Sequence, residues 1–273
     1  MKDIQVYIDT TPECQTRLDA AFQLSKALNG AFVKGLYPKP QAEAVLFATT
    51  HGAAGYIPEE IVEEQKKRIT ETAGELQRDF LVYLEQSGCP GEWRESNGVP
   101  LDVMAYHGRF SDLTVVSQLD EGFAEGFDFA GTLVMESALP VLAVPAEGLK
   151  KPILDHILIA WNGSAEASHA VKAALPLLQK AGKVTLLTVG ELPRRLISQN
   201  DIAAYLGHNG VDATPVTLPE GKAEKLIPEQ ADTLEVSLIV AGAWGHNRLR
   251  EMIFGGATAS LFANQKTPVF MCH

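Results

Sequence analysis

Positive charge is scarce in this chain. Its 273 residues carry 23 Lys and Arg against 34 Asp and Glu, giving a formal net charge of −11 and a pI near 5.1. Such a surface repels phosphate backbones and anionic lipid headgroups, so neither nucleic acid nor a membrane is the expected partner. Cysteine is scarcer still. Cys14, Cys89 and Cys272 are odd in number and widely spaced, which argues against a disulfide framework. No apolar run approaches the ~20 residues needed to span a bilayer. The opening stretch, Met1-Lys2-Asp3 followed by Ile4 to Ile8, lacks signal-peptide architecture, so a reducing cytoplasm is the expected setting. Catalytic signatures are missing as well: there is no G-x-S-x-G elbow, no Walker A sequence and no H-E-x-x-H pair. The histidines are dispersed. Cys272-His273 offers two adjacent ligands without partners, a poor metal site, so no protein-held metal is expected.

What the chain does have is one plan written twice. Ile4-Gln5-Val6-Tyr7-Ile8 runs into Asp9-Thr10-Thr11, and Ile157-Leu158-Ile159-Ala160-Trp161 runs into Asn162-Gly163-Ser164. Each is a short apolar strand followed by a polar turn and a helical pattern. In the first copy Thr11 is the expected N-cap with Pro12 at the first helical position. Leu18, Ala21, Phe22, Ser25 and Leu28 keep helical spacing, and Gly30 is placed to stop the helix. In the second, Ser164 is the expected cap, Ala167, Ala170, Val171, Ala174 and Leu178 form the stripe, and Gly182 is placed to end it. Pro176 should bend that helix near its end.

Further strands follow in matching order: Ala31 to Leu36 and Val184 to Val189, then Leu113 to Val116 and Leu238 to Ala241, then Leu139 to Val144 and Thr267 to Cys272. Strands alternating with helices predict right-handed crossovers and parallel sheets covered on both faces. The stretch from Pro145 to Pro152 has linker character, which divides the chain into domains at 1–148 and 152–273. The copies differ most between the second and third strands. There the first has a long helical pattern, Pro58 to Gln86, with Ile69, Ala73, Leu76, Phe80 and Leu84 on one face; the second has only a short segment near Ile202 to Leu206.

The most informative motif follows the apolar run that ends at Ala241. Gly242 and Gly245 are separated by two residues, and Gly255-Gly256 follow after nine more. Glycine serves where backbone takes φ > 0 or approaches a ligand closely. A strand ending in such a loop ahead of a helix can aim backbone N–H groups at an anion. His246, Arg248 and Arg250 add local positive charge, so a phosphate-binding turn is expected. The plainer alternative is that these glycines only shape a tight turn and close helix–sheet packing. Trp161 and Trp244 present rings that stack on a base or simply pack. The equivalent stretch of the first copy, after Val116, has lost the glycine register and gained Asp120, Glu121, Glu125 and Asp128, unfavourable for a polyphosphate.

This pattern resembles the universal stress protein family, whose nucleotide-binding members carry G-x-x-G, nine residues, then G followed by Ser or Thr. Gly242, Gly245 and Gly255 fall in that register; Gly256 stands where the family has its small hydroxyl, and Thr258 lies just beyond. The resemblance implies an α/β fold of two tandem doubly wound parallel-sheet domains, strand order 3-2-1-4-5, paired antiparallel through their last strands as an internal pseudo-dimer, with a homodimer a further option. It implies an adenine nucleotide, ATP or AMP, in the second copy, with Mg²⁺ only as the nucleotide's counterion. The implied nucleotide-binding residues are Asn162, Val189, Gly242, Gly245, His246, Arg248, Gly255, Gly256, Ala257 and Thr258. Asn162 stands where members often have Asp near the ribose or base, and the backbone of Val189 would meet the adenine. The expected role is a stress-response regulatory or protective binder rather than a catalyst. The alternatives are a slow ATPase or phosphotransferase and an interaction module with a vestigial pocket. Related nucleotide enzymes place an S-G-G-x-D-S loop after the first strand, and neither Thr10-Thr11-Pro12 nor Asn162-Gly163-Ser164 matches it.

Overall fold

A computed structural model describes residues 1–49, 58–118, 129–137, 139–190, 192, 198–243 and 266–273. The first half runs β1 (Asp3–Tyr7), α1 (Glu13–Ala27), β2 (Phe32–Lys39), α2 (Ala42–Thr49), α3 (Glu59–Ser87), β3 (Gly91–Asn97), α4 (Pro100–Gly108), β4 (Leu113–Ser117), α5 (Phe129–Ser137) and β5 (Val141–Val144). The second runs β6 (His156–Ala160), α6 (Ala165–Leu178), β7 (Lys183–Val189), α7 (Gln199–His208), β8 (Ala213–Leu218), α8 (Ala223–Thr233), β9 (Leu238–Gly242) and β10 (Val269–Cys272). No helix among the described residues is long and apolar enough to cross a membrane.

The ten strands among the described residues form one sheet in the order β3-β2-β1-β4-β5-β10-β9-β6-β7-β8. Each half is therefore a parallel 3-2-1-4-5 arrangement, as expected. The halves join where β10 pairs antiparallel with β5, with Val269 opposite Ala143, Phe270 opposite Leu142 and Met271 opposite Val141. Every side chain of these two strands is buried. Because successive strand residues face opposite ways, Leu142, Val144, Phe270 and Cys272 enter one hydrophobic cluster and Val141, Ala143, Val269 and Met271 the other. Both clusters contain residues of both halves, so each face of the seam is dry. Pro140 and Pro268 precede the strands, where a missing N–H is tolerated; their carbonyls accept from Thr114 and Ile239.

Local details depart from the sequence expectations in instructive ways. Thr11 does not cap α1. Its N–H and hydroxyl both donate to Asp9 Oδ1, at 2.9 and 2.7 Å, and Pro12 takes the N-cap position without a side-chain bond. Ser164 does cap α6, accepting from Ala167 N at 3.1 Å. Gly182 does not end α6, which is over by Leu178. It lies instead where a Cβ would sit 2.8 Å from the Asp155 carbonyl oxygen. The third strand of each half, β3 and β8, carries no apolar signal because each forms an outer edge of the sheet with no fully buried side chain. The long helical pattern is real: α3 extends over 29 residues and buries Ile69, Ala73 and Phe80, against 10 residues for α7.

Candidate functional site

Open parallel sheets bind ligands beyond the carboxyl ends of their strands, where the strand order reverses. That point lies between β1 and β4 in the first half and between β6 and β9 in the second.

In the first half it is filled by the protein's own cation. Arg17 projects from α1 and is only 1% exposed. Its Nε donates to the Tyr7 carbonyl at 2.7 Å, one terminal nitrogen donates to Ser117 Oγ at 2.6 Å, and the other to Asp9 Oδ1 at 2.5 Å. Its guanidinium carbon stands 4.9 Å from the centre of the Tyr7 ring. Burial works to lower the Arg17 pKa, but Asp9, Cys14 and Tyr7 together outweigh it, and the net shift is upward. The guanidinium is thus permanently charged and committed at the ends of both strands. Asp9 Oδ2 is enclosed without a hydrogen-bond partner. Burial also raises the pKa of the neighbouring Cys14 thiol, against the opposing pull of Arg17, so it is a poor nucleophile.

Strand register identifies the matching positions of the second half. Ile4 pairs with Leu113 as Ile157 pairs with Leu238. Counting along the chain, Tyr7 corresponds to Ala160, Asp9 to Asn162, Arg17 to Ala170 and Ser117 to Gly242. Each member of the buried network is replaced by an uncharged residue, three of them much smaller. Asn162 keeps the turn geometry of Asp9, with its Oδ1 accepting from Ser164 N at 3.0 Å, but brings no charge. Gly163 takes φ +74°, open to glycine at little cost.

Gly242 is required by packing as well as by any ligand. A Cβ there would lie 2.4 Å from Ala167 N and 2.6 Å from the Glu166 carbonyl carbon, both backbone atoms of the first turn of α6. The missing side chain lets this helix terminus ride directly on the end of β9. Val189 ends β7, half-buried, paired with Leu218. Among the described residues of this half, three enclosed polar atoms have no hydrogen-bond partner: Trp161 Nε1, Thr188 Oγ1 and Glu166 Oε2. Ala160 pairs with Leu187, so Trp161 and Thr188 follow as neighbours beyond the ends of β6 and β7's paired core.

Of the residues the sequence assigns to the nucleotide, the structure thus places Asn162, Val189 and Gly242 at the carboxyl ends of three adjacent strands. Gly245, His246, Arg248, Gly255, Gly256, Ala257 and Thr258, with Trp244 and Arg250, lie outside the described residues. Arg17 is the strand-end residue the sequence reading missed. A signal was there: a charged residue at position 17 shares a helix face with Ala21 and Leu24, both fully buried. Among the described residues no group of His, Cys, Asp and Glu converges as metal ligands.

No protein-family model and no curated protein matches the sequence. Solved structures do. A universal stress protein from Archaeoglobus fulgidus DSM 4304 superimposes with a TM-score of 0.77 at 16% identity, covering 99% of this chain and 98% of that one. A putative universal stress protein from Pseudomonas aeruginosa UCBPP-PA14 gives 0.55 at 15% identity, covering 99% and 92%. A functionally unknown protein from Pseudomonas aeruginosa PAO1 gives 0.56 at 14% identity, again covering 99% and 92%. The chain therefore has the universal stress protein fold, carried twice in tandem.

Proposed function

We propose that this chain is a tandem universal stress protein, with domains at 1–148 and 152–273, that binds one adenine nucleotide in its second half and acts as a regulatory or protective binder in the cytoplasm. The observation that carries the reading is the exchange at matched register. The first half fills its strand-order reversal with Arg17, Asp9, Ser117 and Tyr7; the second puts Ala170, Asn162, Gly242 and Ala160 in the same places. The strand ends that carry a buried cation in the first half carry small uncharged residues in the second, at the place where ligands of such sheets sit.

In this reading the Gly242–Gly245 turn, with Gly255, Gly256, Ala257 and Thr258, cradles the phosphates by backbone N–H groups. His246 and Arg248 add positive charge. Asn162 meets the ribose or base, and the Val189 backbone the adenine. Mg²⁺ accompanies the nucleotide rather than being held by protein ligands. Mass spectrometry of small molecules released from the purified protein tests the ligand class directly. Calorimetric titration with ATP tests the site. Gly245→Val places a branched side chain where backbone must approach phosphate, so it should abolish binding in a folded protein. Undiminished affinity in that variant would remove the phosphate cradle from this loop.

A further inference from the structure

The long helix of the first half forms one wall of a cavity. The cavity, of about 380 Å³, opens between α1 and the later turns of α3, over the end of β1. That volume lies in the range of small-ligand pockets, about 300–1,000 Å³. Its walls are apolar and aromatic, with Leu18 from α1 and Leu76, Phe80 and Tyr83 from α3. The charges that line it are of one sign: Asp9 at the base and Asp79 on α3, with no Lys or Arg among the lining residues. Arg17 lies behind Asp9 and engages its Oδ1, the Tyr7 carbonyl and Ser117. Asp79 is exposed and has no ion-pair partner among the described residues.

We propose that this cavity binds a small organic cation, an ammonium carried on an apolar or aromatic body. The apolar walls match the body by burial. The Tyr83 ring and the Asp79 carboxylate match the charge, since cations are drawn both to aromatic faces and to acids without an ion-pair partner, while Asp9 is already offset by Arg17. An anionic ligand such as a nucleotide meets the opposite condition. The two halves therefore take ligands of opposite charge, and α3 supplies the difference. Phe80 anchors this wall: its ring lies against Gly35 of β2, where a Cβ would come within 2.6 Å of Cε2. Phe22 and Tyr83 stack behind it with rings 2° from parallel.

The test uses phenethylamine and phenylacetate, which share a body and differ in charge, titrated into the full-length protein by calorimetry. The amine should saturate one site per chain and the acid should not bind. Asp79→Lys, on the exposed side of α3, should weaken the amine about tenfold or more while leaving the melting temperature and ATP titration unchanged. Asp79→Asn should give a smaller loss, about threefold. Absence of amine binding, equal binding of phenylacetate, or amine affinity unaltered by Asp79→Lys would each overturn the assignment. So would a parallel loss of amine and ATP binding in that variant.

Discussion

The two halves of the sheet share strand order and register, yet their corresponding ends are finished differently. In the first half a buried arginine ties β1, β4 and the turn after β1 into one polar knot. In the second, alanine and glycine occupy those positions, and the first turn of α6 moves onto the end of β9. The lesson is that a repeated fold fixes where a site can be, whereas a handful of side chains decides whether it is closed or open. Two consequences follow: the first half should depend on its charge network for stability, and the second on close backbone approach.

The largest effect is expected from breaking the knot. Arg17→Ala leaves Asp9 and Ser117 without their partner in a buried setting, and should cost about 3–5 kcal/mol in urea unfolding. Arg17→Ala combined with Asp9→Asn recreates the chemistry of the second half and should recover part of that loss. A double variant no more stable than the single one would refute the network account. The seam between the halves should be nearly as sensitive. Phe270→Ala opens a void in a fully buried strand and should cost about 3–5 kcal/mol, with both halves unfolding together. Two separate transitions in the parent protein would show that the seam does not couple them.

Gly242→Ala should be milder, about 1–3 kcal/mol, because α6 must shift away from β9 to admit one methyl group. The equivalent first-half position already carries a side chain, so Ser117→Gly should act through lost hydrogen bonding to Arg17 and not through relieved crowding. A Gly242→Ala protein as stable as its parent would show that the helix terminus yields freely. The smallest effect concerns His156. Burial lowers its pKa, against the opposing hydrogen bond to the Leu234 carbonyl, and Thr185 Oγ1 approaches its other ring nitrogen at 2.9 Å. The folded state thus favours the neutral ring. Its contribution is fully present above the unfolded value, about 6.5, and declines as pH falls through the lower folded value. Melting temperature measured between pH 8 and 5 should drop, and His156→Gln should flatten the profile.

Much of this architecture is legible in sequence, for a physical reason. Strands buried on both faces are continuous apolar runs, so β1, β4, β5, β6, β9 and β10 announce themselves. Gly242 at the end of β9 and the cap at Ser164 were readable because backbone geometry dictates those residue types. β3 and β8 were not readable: an edge strand needs no apolar face, and Pro215 sits inside β8. Nor was the closure of the first half. A buried arginine makes it, through partners 8 and 100 residues away that no local pattern links; the acidic stretch the sequence suggested after Val116, Asp120 to Asp128, lies outside the described residues. Thr11 illustrates the same limit on a smaller scale. Its hydroxyl suits an N-cap, but it donates to Asp9 Oδ1 two residues earlier while Pro12 occupies the N-cap position.

The account turns on one half being closed and the other open to an adenine nucleotide. Calorimetric titration of the full-length protein with ATP measures this most directly. One site per chain is predicted, unchanged by Asp9→Asn and abolished by Gly245→Val. Two sites per chain, or a single site lost on changing Asp9 and retained on changing Gly245, would contradict it.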